Sequence, residues 1–174
     1  KKLLESNNIK TPKYLFIKNS DKIDKKNYSK LDYPLVIKPN EEGSSMGVMI
    51  VNNVRELMRG LKKLKRLGYD ILVEEYISGN EISCGVIEDG NEIEVLDVLD
   101  IKPNSIFYDY KAKYDDGKTY IDISSLSEDI VSRIKDIAKE VFITLNSKGY
   151  ARVDMIVSDN DIYVLEINTL PGMT

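Results

Sequence analysis

Four polar residues near the C-terminus of the chain form a group in which three have types and spacing that could bind a metal ion and the fourth is an arginine. Arg152 and Asp154 alternate with apolar residues along one strand-like stretch, and Glu166 and Asn168 do the same along the next. If a turn centred on Asn160 joins the two stretches, Asp154 lies opposite Glu166 and Arg152 lies opposite Asn168. A slip of one residue would set apolar side chains of one strand against polar side chains of the other, so the alternation favours this register.

This cluster combines two carboxylates and an amide oxygen beside an arginine. Hard oxygen ligands of this kind suit Mg2+, which is bound through one or two carboxylates and keeps waters or phosphate oxygens. The alternative is a solvated face on which the acids form cross-strand ion pairs. The opposite face of the hairpin is predicted to be buried, because its members are all apolar and odd-numbered: Val153, Met155, Val157, Tyr163, Leu165 and Ile167.

A glycine-serine segment at residues 43–47 has three possible interpretations. It matches the Gly-x-Ser-x-Gly nucleophile elbow around Ser45, but that elbow needs a strand-to-helix turn and a histidine base. The segment lies between two strand-like stretches, and the chain has no histidine. The second interpretation is a hairpin tip whose N–H groups and hydroxyls cover phosphates, with Lys38 on the preceding strand supplying positive charge. The third is an ordinary turn.

The absence of histidine narrows the chemistry that the chain can perform. It excludes Ser-His-Asp and Cys-His catalysis and histidine-ligated zinc within these 174 residues. The single cysteine, Cys84, forms no internal disulfide and indicates a reducing compartment. A net charge of -4 argues against nucleic acid or anionic membranes as the main partners. The chain is 42% hydrophobic and 31% charged, which is typical of a soluble globular protein without a membrane span.

The remaining pattern predicts the elements that must position these residues. One amphipathic helix begins after Asn53, which forms a capping-box pattern with Glu56, and ends at Gly68. A second amphipathic helix begins after Ser127. Residues 102–122 show little periodicity, which is typical of a functional loop. Strands are predicted over residues 33–38, 48–51, 71–76, 81–87, 92–98, 150–157 and 162–168.

The order of these motifs resembles that of a known family. A lysine strand is followed by a Gly-Ser-Ser-x-Gly tip, an acidic strand, a Tyr-Asp-Tyr-x-Ala-Lys-Tyr loop, Ala-Arg-Val-Asp and Glu-Ile-Asn-Thr-Leu-Pro-Gly-Met-Thr. From about residue 9 to residue 174 the chain thereby resembles the D-alanine-D-alanine ligases of the ATP-grasp superfamily. The resemblance implies an α+β ATP-grasp fold with two lobes of mainly antiparallel sheet, packed helices and a nucleotide cleft between the lobes. The small lobe would span residues 1–81, and a truncated large lobe would span residues 82–174.

The resemblance also implies a role for each matching residue. The nucleotide-binding set would be Lys38, Ser44, Ser45, Glu74, Glu75, Tyr76, Ile77, Glu81 and Lys113. In this set Lys38 and Lys113 would contact phosphates, and Glu81 would bind the ribose hydroxyls. The catalytic set would be Ser44, Tyr114, Arg152 and Gly172, with Arg152 and the backbone N–H of Gly172 stabilising an oxyanion. The metal set would be Asp154, Glu166 and Asn168, for two Mg2+ ions, with Mn2+ as a substitute.

The activity implied by the resemblance is the ATP-dependent joining of two D-alanines for peptidoglycan precursor synthesis in the cytoplasm. ATP would phosphorylate the carboxylate of the first D-alanine, and the amine of the second would attack the resulting acyl phosphate. Such chemistry needs orientation and charge stabilisation but no enzyme nucleophile, which agrees with the absence of histidine. The partners would be ATP and D-alanine, without nucleic acid or membrane, and the parent enzyme would be a homodimer.

The family's motifs lead us to expect that the chain is a piece of a longer enzyme. It begins at Lys1 without a methionine and stops at Thr174 directly after a strand-like run. Other substrate and nucleotide contacts of the family would lie outside it, so the chain alone is expected to bind nucleotide and metal but to have little ligase activity. Two alternatives stay open: a related ATP-grasp ligase with another acceptor such as D-serine, and a non-catalytic nucleotide-binding module.

Overall fold

The computed structural model describes residues 1–23, 30–42, 46–103 and 119–171. The helices are α1 (Lys2–Ser6), α2 (Val54–Arg66) and α3 (Glu128–Thr144). The strands are β1 (Tyr14–Ile17), β2 (Leu35–Pro39), β3 (Met49–Val51), β4 (Ile71–Glu75), β5 (Asn80–Asp89), β6 (Glu92–Pro103), β7 (Thr119–Ile123), β8 (Tyr150–Ser158) and β9 (Asp161–Asn168). In the described part of the chain, no helix combines the length and the apolar character that crossing a membrane requires.

The chain divides into two compact units, each built around one sheet. The four-stranded unit contains residues 12–76, and its sheet has the order β1-β4-β2-β3. The five-stranded unit contains residues 1–11, 77–102 and 119–171, and its sheet has the order β7-β6-β5-β8-β9. Sheets with packed helices agree with the α+β class predicted from the sequence.

The division between the units differs from the predicted lobe boundary after residue 81, which falls inside β5. Residues 1–11 group with the five-stranded unit because this segment runs beside β9. The N–H of Val164 donates to the carbonyl of Lys10 at 2.9 Å, and the hydroxyl of Thr11 donates to the carbonyl of Val164 at 2.9 Å. The assignment of the nucleotide-binding lobes themselves stays a prediction.

The four-stranded unit packs α2 against its sheet. Strands β2 and β3 form the predicted antiparallel hairpin, with Leu35 opposite Val51. The buried side of α2 is lined by Leu57, Leu61 and Leu64, which the helical periodicity predicts. Gly60 lies on the same side, where a Cβ atom would stand 2.1 Å from Cδ1 of Ile37. The absence of a side chain at Gly60 therefore lets the helix approach the sheet closely.

The N-terminus of α2 carries the predicted capping box. The side chain of Asn53 accepts a hydrogen bond from the N–H of Glu56 at 3.0 Å. The Glu56 carboxylate accepts in return from the N–H of Asn52 at 2.8 Å, one residue earlier than the usual reciprocal contact. This backbone hydrogen bond, with help from the Asn53 side chain, lowers the pKa of Glu56 below its ordinary value of 4.5.

The lowered pKa of Glu56 predicts a pH-dependent contribution to stability. The contribution of the carboxylate is present above its unfolded-state pKa, near 4.5, and is lost as the pH falls through the lower folded-state pKa. We therefore expect Glu56→Gln to lower the urea midpoint at about pH 7 and to have a smaller effect at about pH 3. The matched control is Glu128→Gln, in the first turn of α3, where the acid closes no capping box. An equal loss for Glu56→Gln at both pH values would contradict this assignment.

The five-stranded unit buries one face of its sheet under α3. The predicted amphipathic helix is confirmed, and its buried side presents Ile134, Ala138, Val141 and Phe142. These side chains pack in one core with residues of the central strands, among them Ile82, Cys84, Val86, Val153, Met155 and Val164. Ser127 occupies the N-cap position as predicted, but its side chain forms no capping hydrogen bond. The other face of the sheet is left for the polar residues of the candidate site.

Two parts of the architecture differ from the sequence prediction. Strands β1 and β7 are not predicted by the pattern, and β6 continues to Pro103 instead of ending near residue 98. In addition, β4 and β5, which the sequence predicts as two successive strands, belong to different sheets. The segment between them is therefore a connection between the two units and not a hairpin turn.

Candidate functional site

The β8–β9 hairpin brings the four predicted polar residues together. Asp154 pairs with Glu166, and Arg152 pairs with Asn168, as the alternation of polar and apolar residues predicts. Residues directly opposite one another in an antiparallel pair project from the same face of the sheet. Because Val153 and Met155 point into the core under α3, Arg152 and Asp154 project from the opposite face.

The register changes beyond Asp154, and this corrects the predicted buried face. Met155 pairs with Val164, so Leu165 is an extra residue on β9 that forms a β-bulge. Between the turn and the bulge, the even-numbered residues of β9 face the core instead of the odd-numbered ones. These core-facing residues are Ile162 and Val164. The prediction that Tyr163 and Leu165 lie on the buried face with Val153 and Met155 is therefore wrong, whereas Ile167 does pack against the core.

Strand β5 adds two further polar side chains to the site face. Ser83 pairs with Asp154, and Glu81 pairs with Ile156 on the neighbouring strand β8. Glu81 is a predicted nucleotide-binding residue and is partly buried here. Ser83 was not predicted, although the alternation of β5 places it on the same face as Glu81 and could have indicated it. The site face of the five-stranded unit therefore carries Glu81, Ser83, Arg152, Asp154, Glu166 and Asn168.

The carboxylate of Asp154 lies at the centre of a hydrogen-bond network. Its Oδ1 accepts from the Ser83 hydroxyl at 2.7 Å and from Nε of Arg152 at 2.8 Å. Its Oδ2 accepts from Nη2 of Arg152 at 2.9 Å and from Nδ2 of Asn168 at 2.8 Å. These contacts fill the roughly four lone-pair positions of a carboxylate. Asp154 is therefore held in one orientation, and the bidentate contact also fixes the guanidinium of Arg152.

The donor set around Asp154 fits a magnesium ion. Nδ2 of Asn168 stands 2.8 Å from Asp154 and 3.3 Å from Oε1 of Glu166, so the amide hydrogens occupy the place between two carboxylates that a cation would favour. Rotation of the amide by half a turn would present its oxygen there instead. The described residues contain no cluster of three or more His, Cys, Asp or Glu side chains suited to a metal. Two carboxylates and an amide do suit Mg2+, which completes its shell with water and phosphate oxygens.

The four-stranded unit places Lys38 beside a buried acid. Nζ of Lys38 lies 2.9 Å from Oε2 of Glu74 across strands β2 and β4. The Glu74 side chain is only 3% exposed and that of Lys38 is 18% exposed. Glu74 lies on β4, the strand between β1 and β2, and it is a buried charged residue outside the apolar core of this unit. The lysine predicted to contact phosphate is therefore held by a carboxylate that is almost fully removed from water.

The other residues predicted to form the adenine edge follow Glu74 along the chain. Glu75 forms two hydrogen bonds with Lys13. The N–H of Glu75 donates to the Lys13 carbonyl at 2.9 Å, and the Glu75 carboxylate accepts from the Lys13 N–H at 2.9 Å. The N–H of Tyr76 donates to the Pro34 carbonyl at 3.2 Å. Because these backbone N–H groups and the Glu75 carboxylate already form hydrogen bonds, recognition of an adenine by Glu75 and Tyr76 would use their other polar groups. Ile77 is partly buried and belongs to the five-stranded unit.

Five of the predicted site residues lie outside the described part of the chain. They are Ser44, Ser45, Lys113, Tyr114 and Gly172. Their predicted roles over the phosphates, at the substrate and at the oxyanion stay predictions.

Cys84 is part of the core. It is fully buried, and burial raises the pKa of its thiol to about 11. The thiol is therefore protonated at neutral pH and is unsuited to act as a nucleophile. This agrees with the interpretation of Cys84 as a small core residue.

Comparison with protein families gives one match over almost the whole chain. The family described as "D-ala D-ala ligase C-terminus" matches residues 3–174. A D-alanine–D-alanine ligase of Clostridium perfringens (strain SM101) is 39% identical over 174 residues, which is 100% of this chain and 56% of the relative. A D-alanine–D-alanine ligase A of Bacillus cereus is 38% identical with the same coverage. The chain thus spans 56% of the length of these curated relatives.

Solved structures of similar proteins share the fold. The D-alanine–D-alanine ligase of Bacillus anthracis complexed with ATP has a TM-score of 0.81 and 35% identity, and the match covers 99% of this chain and 55% of that one. The VanG D-Ala:D-Ser ligase of Enterococcus faecalis has a TM-score of 0.84 and 32% identity, with coverage of 99% and 51%. Together with the two antiparallel sheets, these similarities confirm the predicted ATP-grasp fold.

Proposed function

Because the chain belongs to the D-Ala-D-Ala ligase C-terminus family, we propose that it is the ATP-grasp part of an enzyme that joins two D-alanines at the expense of ATP. The product would be the dipeptide used for peptidoglycan precursors. ATP and D-alanine as partners, a cytoplasmic location and a homodimeric state are parts of the same proposal. The chain spans 56% of its curated relatives, so activity is assigned to the full-length protein and little activity is expected of the chain alone.

The observation that carries the proposal is the polar face of the β8–β9 hairpin. Asp154 and Glu166 stand opposite each other with the amide of Asn168 between them. Arg152 forms a bidentate pair with Asp154 in the same cluster. A pure structural ion pair does not require the second carboxylate or the amide. The combination supports phosphoryl-transfer chemistry, in which metal-bound phosphates and a fixed cation are both needed.

The first step of the proposed reaction activates a carboxylate. An oxygen of the first D-alanine carboxylate attacks the γ-phosphorus of ATP, the bond to the β–γ bridging oxygen breaks, and ADP leaves. Asp154, Glu166 and Asn168 would hold Mg2+, whose charge offsets that of the phosphates when it is bound. Lys38 would contribute a second cation to the phosphates from the four-stranded unit. Its pairing with buried Glu74 fixes the ammonium group before ATP arrives.

The second step forms the peptide bond. The neutral amine of the second D-alanine attacks the acyl carbon and a tetrahedral oxyanion forms. The carbon–oxygen bond to the phosphate then breaks, and phosphate leaves with the oxygen that came from the carboxylate and takes up the proton lost by the nitrogen. Arg152 is proposed to stabilise this oxyanion, because the plane of its guanidinium is fixed by two contacts to Asp154. A preoriented cation needs little reorganisation when charge develops. No protein nucleophile takes part, in agreement with the absence of histidine and the buried thiol of Cys84.

A second candidate function is ligation of D-alanine to D-serine. The neighbour VanG, a D-Ala:D-Ser ligase, has a TM-score of 0.84, within the range of 0.81 to 0.85 found for the Bacillus anthracis ligase. The backbone fold therefore does not separate the two acceptors. The D-alanine acceptor is preferred because curated relatives at 39% and 38% identity carry that activity in their names.

The test of the proposal is a measurement of amino-acid-dependent ATP use. The full-length protein is incubated with ATP and Mg2+, and ADP formation is followed with D-alanine, D-serine or L-alanine. We expect D-alanine to stimulate ADP formation and to give D-alanyl-D-alanine as the product. Dependence on D-serine together with D-alanine would favour the second candidate. ATP use that is indifferent to all three amino acids would contradict both.

A further inference from the structure

Ser83 is a buried residue on the site face of β5, opposite the side of the strand that faces the apolar core. It is 4% exposed, and its neighbours Ile82 and Cys84 point into the core. Burying a hydroxyl without a hydrogen-bond partner costs free energy, so a buried serine is expected to have a partner. The Ser83 hydroxyl donates to Oδ1 of Asp154 at 2.7 Å. Its single proton is therefore used on a residue of the proposed metal site.

The two oxygens of Asp154 have different surroundings. Oδ1 is held by the Ser83 hydroxyl and by Nε of Arg152. Oδ2 is held by Nη2 of Arg152 and by the Asn168 amide, which also contacts Glu166. If the Asn168 amide rotates to present its oxygen, its hydrogen bond to Oδ2 is lost, while both hydrogen bonds to Oδ1 remain. Oδ2 is therefore the atom that can share a cation with Glu166 and Asn168.

Arg152 alone does not determine which oxygen of Asp154 is directed to the cation. It lies two residues from Asp154 on the same strand and contacts both carboxylate oxygens, so its contacts do not distinguish Oδ1 from Oδ2. Ser83 reaches the carboxylate from the neighbouring strand β5 through a short side chain on a paired backbone. A hydroxyl is also neutral, so it orients the carboxylate without adding a positive charge that would oppose a cation. Serine at this position thus restricts rotation at a lower electrostatic cost to metal binding than a charged donor would have.

We propose that Ser83 is a positioning residue that directs Oδ2 of Asp154 to the metal. The inference rests on the proposed function, because it concerns the same Asp154, Glu166 and Asn168 site. Groups that orient a metal ligand by hydrogen bonding commonly change metal affinity by roughly 10- to 100-fold when they are removed. The effect should therefore appear in metal binding itself, before any turnover.

The experiment measures Mn2+ binding to the full-length protein by electron paramagnetic resonance, with Mn2+ as the only added ligand. We expect Ser83→Ala to raise the Mn2+ dissociation constant by roughly tenfold. Ser83→Thr keeps the hydroxyl and should stay within about twofold of the wild type. Cys84→Ala is the matched control, because it removes one heavy atom from the adjacent buried position on the opposite face of β5. Thermal melting of each variant reports whether it is folded.

The outcomes separate this inference from the proposed function. If Ser83→Ala binds Mn2+ as the wild type does while Asp154→Asn loses binding, the positioning role is overturned and the metal site stands. If Ser83→Ala and Cys84→Ala weaken Mn2+ binding equally, the effect is one of packing and the inference also fails. If the wild type and Asp154→Asn have the same Mn2+ affinity, the metal site and the inference fail together. Weak binding by Ser83→Ala with rescue by Ser83→Thr supports the proposal.

Discussion

Replacing Asp154 by asparagine is expected to lower D-alanine-dependent ADP formation by roughly 10²- to 10³-fold, the range found when one preorganised electrostatic contact is removed from an active site. Asparagine keeps the shape of the side chain but removes the charge that a metal and Arg152 require. The fold should be little affected, since the residue lies on the face of β8 opposite the apolar core and asparagine has nearly the same shape. Steady-state rates of ADP release in the full-length protein measure the effect.

Asp161→Asn is the matched control for this variant. Asp161 lies on the same hairpin, at the start of β9, and pairs with Lys10. Its loss of charge should leave the rate within about twofold of the wild type, because an exposed ion pair contributes little. Equal rates for the wild type and Asp154→Asn would show that the hairpin cluster has no part in the reaction.

Replacing Lys38 by methionine is expected to have two effects of different origin. Activity should fall, with a higher KM for ATP, because a phosphate contact is lost. Stability should fall, by up to about 3–5 kcal/mol, because the buried Glu74 carboxylate loses the ammonium group that pairs with it. Adding Glu74→Gln should recover most of the stability without recovering the activity. Urea unfolding and ATP-dependent kinetics on the single and double variants separate the two effects.

A surface pair with a similar N–O distance provides the comparison for Lys38. Lys148 lies 2.8 Å from Glu88, but its side chain is 73% exposed. Lys148→Met should therefore cost less than about 1 kcal/mol and leave ATP use unchanged. If Lys38→Met is no more destabilising than Lys148→Met, burial of Glu74 is not the source of the cost. Wild-type kinetics in the Lys38→Met variant would remove this residue from the proposed phosphate contacts.

The β8–β9 hairpin shows how far alternation in the sequence predicts structure. Next to the site, polar and apolar residues alternate on both strands, so one register alone buries the apolar side chains and the pairing of Asp154 with Glu166 is correctly predicted. Residues 163–165 are all apolar, so an apolar side chain would be buried there whether the odd-numbered or the even-numbered residues faced the core. The turn decides the outcome, because Asp159 adopts a positive φ of 51° in a two-residue connection. Leu165 absorbs the one-residue difference as a bulge.

Other features depend on contacts between distant parts of the chain and have weak local signals. Strand β1 has four residues, and its sequence shows no clean alternation of apolar and polar residues. The grouping of residues 1–11 with the five-stranded unit depends on hydrogen bonds to Val164, far away in the sequence. The contact of Ser83 with Asp154 requires knowledge that β5 pairs with β8. Motif order predicts the fold and the metal residues, while the residues that support them follow from the sheet topology.

The most direct test of the account follows one oxygen atom through the reaction. The full-length protein is given ATP, Mg2+ and D-alanine labelled with 18O in its carboxylate, and the released phosphate is analysed by mass spectrometry. We expect phosphate that carries one 18O atom per dipeptide formed, because the carboxylate oxygen attacks the γ-phosphorus and leaves with it. Asp154→Asn should slow the appearance of this label and of ADP together. Dipeptide formation that releases unlabelled phosphate would contradict the acyl phosphate and, with it, the role assigned to the site.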